Sequence, residues 1–241
     1  MKQTLRGLIL LTTLAPIVLA LQPGTVRPRQ CSIGVEAPDV GFWTWPANAH
    51  VSVYVLSADF QTAEVPYLLI ALKNWNSVSG ETGAGVIFDY QGTTTQQKFC
   101  KNCLTIMRGS VFDKRTNHAA ELRAYSLESD QIMTYAAIVI DPALTNLRAL
   151  TDTVAHELGH NLGLRDCYSC NSRFTVMSKL KALNVPNQAD GPKFCDIAQV
   201  KHAYDQLRIR VGTAPQSAIS AGDDAGEEPI DDDSPIVVLQ P

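Results

Sequence analysis

The strongest constraint on this chain is an eleven-residue run, His156–Asp166, which reads HELGHNLGLRD. It sets two histidines four residues apart in a stretch whose apolar residues recur at helical spacing: Leu147, Leu150, Val154, Leu158 and Leu162. A helix from Asn146 to about Asn161 gathers those residues on one side. The same geometry puts His156 and His160 on one face, one turn apart, within reach of a single ion. Gly163 marks the helix end, because glycine readily takes the left-handed conformation that turns a chain off its helix axis. Any fold of this chain must bring a helix, a turn and the residues after it around one point.

The residue types say what that point can do. Neutral imidazole is a good zinc ligand, with bonds of about 2.0–2.1 Å. Glu157, beside the first histidine, is placed to take a proton from water on such an ion as the water attacks a carbonyl carbon. A catalytic zinc has three protein ligands and keeps one position for water. Asp166, three residues past the turn, is the expected third ligand, and Cys167 is its rival, since thiolate also binds zinc. Carboxylate gives the ion more negative charge than imidazole does, so proton removal by Glu157 gains in importance. Met177, in Thr175–Ser178 (TVMS), is expected as an apolar floor under the ion. His50, His118 and His202 have no partner at ligand spacing.

Around this segment the chain alternates between strand and helix patterns. His50–Leu56 is alternating and β-branched and reads as a strand. Thr62–Val78 reads as a helix with Thr62 as its cap. Gly85–Tyr90, Leu104–Gly109, Glu121–Ser126 and Ala136–Ile140 read as further strands. Asp196–Leu207 reads as a closing helix. The fold class is therefore α+β, in one body spanning 42–212.

The ends are of another kind. Residues 1–20 carry Lys2 and Arg6 ahead of an apolar stretch, with small or apolar residues at Val18-Leu19-Ala20. This is the pattern of a secretory signal peptide, and the rival reading is a membrane anchor. An N-terminal segment, 21–41, follows it. Residues 213–241 hold seven acids and no base, and read as a solvated acidic tail. Between the ends, 18 bases face 17 acids, a balance that excludes a strongly basic nucleic-acid binder. Export would place the six cysteines in an oxidising compartment, where disulfides are favoured over a zinc ribbon. Fifteen pairings are open to them. Closing Cys100 on Cys103 and Cys167 on Cys170 would leave Cys31 for Cys195.

The run HELGHNLGLRD followed by Val176-Met177 resembles the metzincin clan of zinc metalloendopeptidases, which carry an extended H-E-x-x-H-x-x-G-x-x-H and a Met-turn. Asp166 stands where most metzincins have histidine, a variant similar to the snapalysin type. The flanks, with ALKNWN, the FDY strand and AAIVIDP, are similar to matrixin-like domains over roughly residues 42–210. The resemblance implies a twisted mixed β-sheet on two helices, above a small C-terminal subdomain with the Met-turn and a final helix. It implies one catalytic Zn²⁺ on His156, His160 and Asp166, Glu157 as general base and acid, Gly163 as the turn and Met177 as the Met-turn. The strand at Glu121–Ser126 would be the sheet edge to which a substrate peptide adds. Calcium sites are not readable. Pro28–Val40 echoes the matrixin cysteine switch, with Cys31 either a thiolate for the zinc or half of a disulfide. The expected partner is a peptide or protein substrate, with no nucleic acid, no membrane after signal cleavage, and a monomeric chain. A secreted zinc-containing binding module and an amidase on cell-wall peptides are the alternatives; periplasmic residence is a variant of the secreted reading.

Overall fold

The structure is a computed structural model and describes residues 30–41, 43–111, 119–126, 132–178, 183–187 and 190–213, with side chains to 209. The signal-peptide and tail readings, and His118, lie outside the described residues. From Cys31 on, the described residues belong to one compact unit. This unit includes 31–41, which the sequence reading sets apart from the catalytic body.

Five strands form one mixed sheet. They are β1 (His50–Leu56), β2 (Ile87–Thr94), β3 (Cys103–Arg108), β4 (Ala120–Tyr125) and β5 (Tyr135–Ile140). The order across the sheet is β2-β1-β3-β5-β4. All neighbours run parallel except β4, which pairs antiparallel with β5 at one edge. β5 (YAAIVI) is buried along its whole length, as expected of a strand covered on both faces.

One face of the sheet packs on two helices, α1 (Val65–Ser77) and α2 (Leu147–Asn161). Val51, Val53, Leu104, Ile106 and Ile138 meet Leu68, Leu72 and Trp75 of α1 and Leu150, Val154 and Leu158 of α2 in a single core. The third helix, α3 (Phe194–Thr213), closes the described chain, and its Val200 and Tyr204 join the same core.

Three elements differ from expectation by two or more residues at an end. α1 starts at Val65 with Glu64 at its cap position, not at Thr62. Pro66 explains this, since it fits the first helical turn, where no N–H partner is needed. β2 starts two residues later than Gly85, whose φ of +66° and close approach to Asn48 belong to a turn. It then runs on past a register shift, with Tyr54 paired to Gly92. α3 starts earlier and runs further than Asp196–Leu207 and takes in Thr213, the first residue of the expected tail.

Arg108, at the end of β3, fixes the approach to α2. Its guanidinium donates to the backbone oxygens of Asp59, Asp141 and Leu144 and pairs with Glu64 at 2.7 Å. Asn146 then caps α2, its side chain accepting from the N–H groups of Arg148 and Ala149.

Candidate metal centre

α2 is held at several points along its length. Trp75 Nε1 of α1 donates to Ala155 O at 2.8 Å. At the far end, Tyr204 donates to Trp45 O, Trp45 Nε1 donates to Asn161 Oδ1, and Asn161 Nδ2 donates to Glu157 O. Burial pushes the Tyr204 hydroxyl up, so it stays protonated as a donor. The helix ends in a Schellman turn: Leu164 N–H donates to Gly159 O and Gly163 N–H to His160 O. Gly163 has a φ of +87°, and a Cβ there would come within 2.7 Å of Thr44 Cγ2. Its role as the turn residue thus has a conformational and a steric cause.

The turn sends the chain back under the histidines. Asp166 Oδ1 lies 2.9 Å from His156 Nε2 and 3.7 Å from His160 Nε2. Donor atoms on a tetrahedral ion with bonds of ~2.0–2.1 Å sit about 3.3 Å apart, so these spacings suit one coordination sphere. Each ring is oriented from its other side. His156 Nδ1 lies 3.0 Å from Val176 O and His160 Nδ1 lies 2.8 Å from Leu164 O. A carbonyl only accepts, so both Nδ1 atoms carry the proton and both Nε2 atoms are left with a lone pair. Two lone-pair atoms 2.9 Å apart require positive charge between them.

Without a metal, that charge is a proton. Burial disfavours it on His156, but the bond to Asp166 and the charges of Asp166 and Glu157 prevail, and the ring is raised to about 9. Burial also opposes the charge on Asp166. Its bond to His156 and the positive rings win there and hold the carboxyl far below the usual range. Tyr168 adds to this, its hydroxyl donating to Asp166 Oδ2 at 3.2 Å. Oδ2 is thereby engaged, and Oδ1 faces the histidines.

His156, Glu157 and His160 also present donor atoms within 4.8 Å of one another, so this buried group can hold a metal ion. Within it, Glu157 differs from the histidines. Burial raises its carboxyl to about 7, against the pull of His156, and Oε2 is buried with no hydrogen-bond partner. A buried polar oxygen without a partner is unusual and marks a place where a ligand, water or proton belongs.

Met177 is fully buried. A Cβ at Gly159 would overlap its Sδ, so glycine within HELGH lets the thioether lie against α2. The turn that carries Met177 is fixed by a residue the sequence reading missed. Asp196, at the start of α3, is completely buried. It accepts from Thr175 Oγ1, from Val176 N–H and from Lys193 N–H. The last contact is the acidic half of a capping box, with Asp196 three residues after Lys193, but Lys193 is not a capping residue and the sequence gives no box signature. Asp152 and Asn187 were also missed: Asn187 N–H donates to Asp152 Oδ2 and Asn187 Nδ2 to Ser178 Oγ, tying the following loop to α2.

The six cysteines form Cys31–Cys195, Cys100–Cys103 and Cys167–Cys170. The disulfide reading therefore holds, with each C-x-x-C closed on itself. Cys167 has its sulfur engaged and is not a ligand in this state, and Cys31 is likewise not available as a switch thiolate. His50 pairs with Asp89 and His202 with Gln206, both away from the metal group.

No protein-family model and no curated protein matches this chain.

Proposed function

We propose that this chain is a secreted zinc-dependent endopeptidase of the metzincin clan, hydrolysing peptide bonds with Glu157 as general base. The observation that carries the reading is the convergence of His156 Nε2, His160 Nε2 and Asp166 Oδ1 beside a buried, unpartnered Glu157 oxygen. A structural metal site has no use for such a carboxylate, whereas hydrolysis needs one.

His156, His160 and Asp166 would hold the zinc, which when bound polarises a carbonyl and lowers the pKa of water. The chain's own residues do the rest. Glu157 takes the proton of the attacking water at its carboxylate and returns it to the leaving amine. Its raised pKa, about 7 without metal, suits a group that must both accept and donate near neutrality. The carbonyls of Val176 and Leu164 keep each imidazole from rotating. β4 is the edge strand next to β5, so its outer side is the place for an extended substrate backbone to pair. The five-stranded mixed sheet on α1 and α2, with α3 joining the same core, supports the clan assignment. Disulfides at all six cysteines support export to an oxidising compartment.

The test is cleavage of casein or a quenched peptide, with metal analysis, on wild type and Glu157→Gln. Wild type cleaves and is stopped by a chelator. Glu157→Gln keeps its zinc and loses at least about 10²–10⁴-fold in turnover. Wild-type rates in Glu157→Gln, or cleavage indifferent to chelation, refute the reading. Zinc bound without cleavage favours the binding module.

A further inference from the structure

We propose that residues 31–41 are a brace for the metal-donor loop, and that the Cys31–Cys195 disulfide sets how firmly Asp166 is held for the ion. The inference rests on the metal site proposed above and adds to it a stretch that supplies no ligand. Asp166 sits in loop 163–170, and that loop is supported from two sides. On one side is the turn that carries Met177: Cys167 N–H donates to Met177 O at 2.9 Å, and Cys167 pairs with Ser178. On the other is the N-terminal stretch. Gly41 N–H donates to Gly163 O at 2.6 Å and Arg165 N–H to Asp39 O at 2.9 Å, while Val40 pairs with Leu164. Ser169 Oγ donates to Gly34 O at 2.5 Å. These contacts fall before and after Asp166 in the chain, so the brace acts on the ligand through its loop.

The brace has apolar anchorage at one end only: Pro38 is buried and Val40 packs against the core, but the half next to Cys31 has none. Ala37 is fully buried, but Ile33 and Val35 are 58% and 63% exposed. A few hydrogen bonds at the surface do not offset the entropy of ordering that half of the eleven-residue stretch. The covalent bond closes that gap, tying Cys31 to Cys195 across 164 residues of sequence. The next residue, Asp196, holds Thr175 and Val176. Two neighbouring positions in the first turn of α3 therefore secure both supports, one through sulfur and the other through a carboxylate. Breaking the disulfide releases one support and leaves the other in place.

The test measures zinc and cobalt(II) affinity on the folded full-length protein by competition with a chromophoric chelator. Cys31→Ser/Cys195→Ser is expected to weaken binding by about 10–100-fold, the range typical of losing groups that orient metal ligands. Its cobalt(II) complex should show a weakened visible band as Asp166 lets go. Cys100→Ser/Cys103→Ser removes a disulfide at the start of β3 and should keep wild-type affinity. Ser169→Ala removes only the hydroxyl that meets Gly34, should weaken binding about threefold, and carries the test if the double cysteine variant does not fold. Wild-type affinity and an unchanged cobalt(II) spectrum in the folded double variant, or in Ser169→Ala where that variant alone folds, overturn the brace and leave the metal site standing. Equal weakening in Cys100→Ser/Cys103→Ser also overturns it. A wild type that binds neither ion overturns the metal reading and the brace together.

Discussion

Residues 50–162 and residues 163–209 are built by different means. In the first region, apolar side chains of five strands and two helices interlock beneath the sheet ladder, with Arg108 holding the approach to α2. In the second, backbone turns are held one at a time by individual polar groups: Asp196 at the Met177 turn, Asn187 on Asp152, and Asn184 at the start of α2. Two disulfides add covalent ties. The metal group lies where the regions meet, with both histidines on the last turns of α2 and Asp166 just beyond it. A packed core resists loss of any one contact through many others, whereas a turn held by one carboxylate has no such reserve.

The sharpest way to break this comparison is a pair of variants. Ile138→Ala opens a cavity between β5 and the helices and should cost about 2–5 kcal/mol of stability. Its folded molecules should bind metal as wild type does. Asp196→Ala strands two buried donors and a half-buried one and should cost about 2–3 kcal/mol. Unlike Ile138→Ala, it should also weaken metal binding by about 10–100-fold, because the carbonyl orienting His156 belongs to the same turn. Unfolding by denaturant, set beside metal titration of each variant, checks both. Equal metal affinity in the two variants would remove the distinction between the regions.

A second prediction concerns pH. Asp196, Glu157 and His156 are raised to about 6, 7 and 9 in the metal-free protein. A group that binds its proton more tightly when folded contributes stability below its ordinary pKa and loses it as pH rises through the folded value. Asp166 is lowered, so its contribution is lost only in strong acid. The melting temperature of the chelated protein should therefore fall between about pH 5 and 9. The gain from added zinc should grow over the same range, since the ion replaces the proton on His156. Thermal melts with and without chelator across that range decide it; a pH-independent gap contradicts the assignment.

The smallest effect is expected at Asn184. Its Oδ1 accepts from the N–H groups of Thr145 and Asn146, and its Nδ2 donates to Ala143 O. Asn184→Ala should cost about 1 kcal/mol, comparable to losing a helix cap, and lower the melting temperature by about 2–4 °C.

The same contrast governs what was legible in the sequence. The strand and helix cores were readable, β1 and the helices through a period of 2 or 3.6 and β5 through a continuous β-branched and apolar run. Element ends were less so: Pro66 and Gly85 displaced two starts by local geometry that periodicity does not register. The pairing of His156 with His160 was readable because helix geometry dictates a spacing of four, and Gly163 because a chain leaving a helix favours glycine. Asp166 was reachable through the turn, yet its Tyr168 partner was not, since no period fixes the direction of a loop side chain. Asp196, Asn161 and Asp152 look like ordinary helix polar residues. Their roles depend on what packs against them from 20 or more positions away, and one-dimensional pattern carries no such information.

The joining of Cys31 to Cys195 also bears on the order in which the molecule is completed. A chain is made N-terminus first, so one end of this bond waits through the synthesis of the whole sheet and both packed helices before its partner exists. The sheet, α1 and α2 are complete by then. The donor loop receives its brace and the anchor of its Met177 turn together, when the first turn of α3 arrives. A loop held in this way reaches its final form only once nearly all of the body has been made.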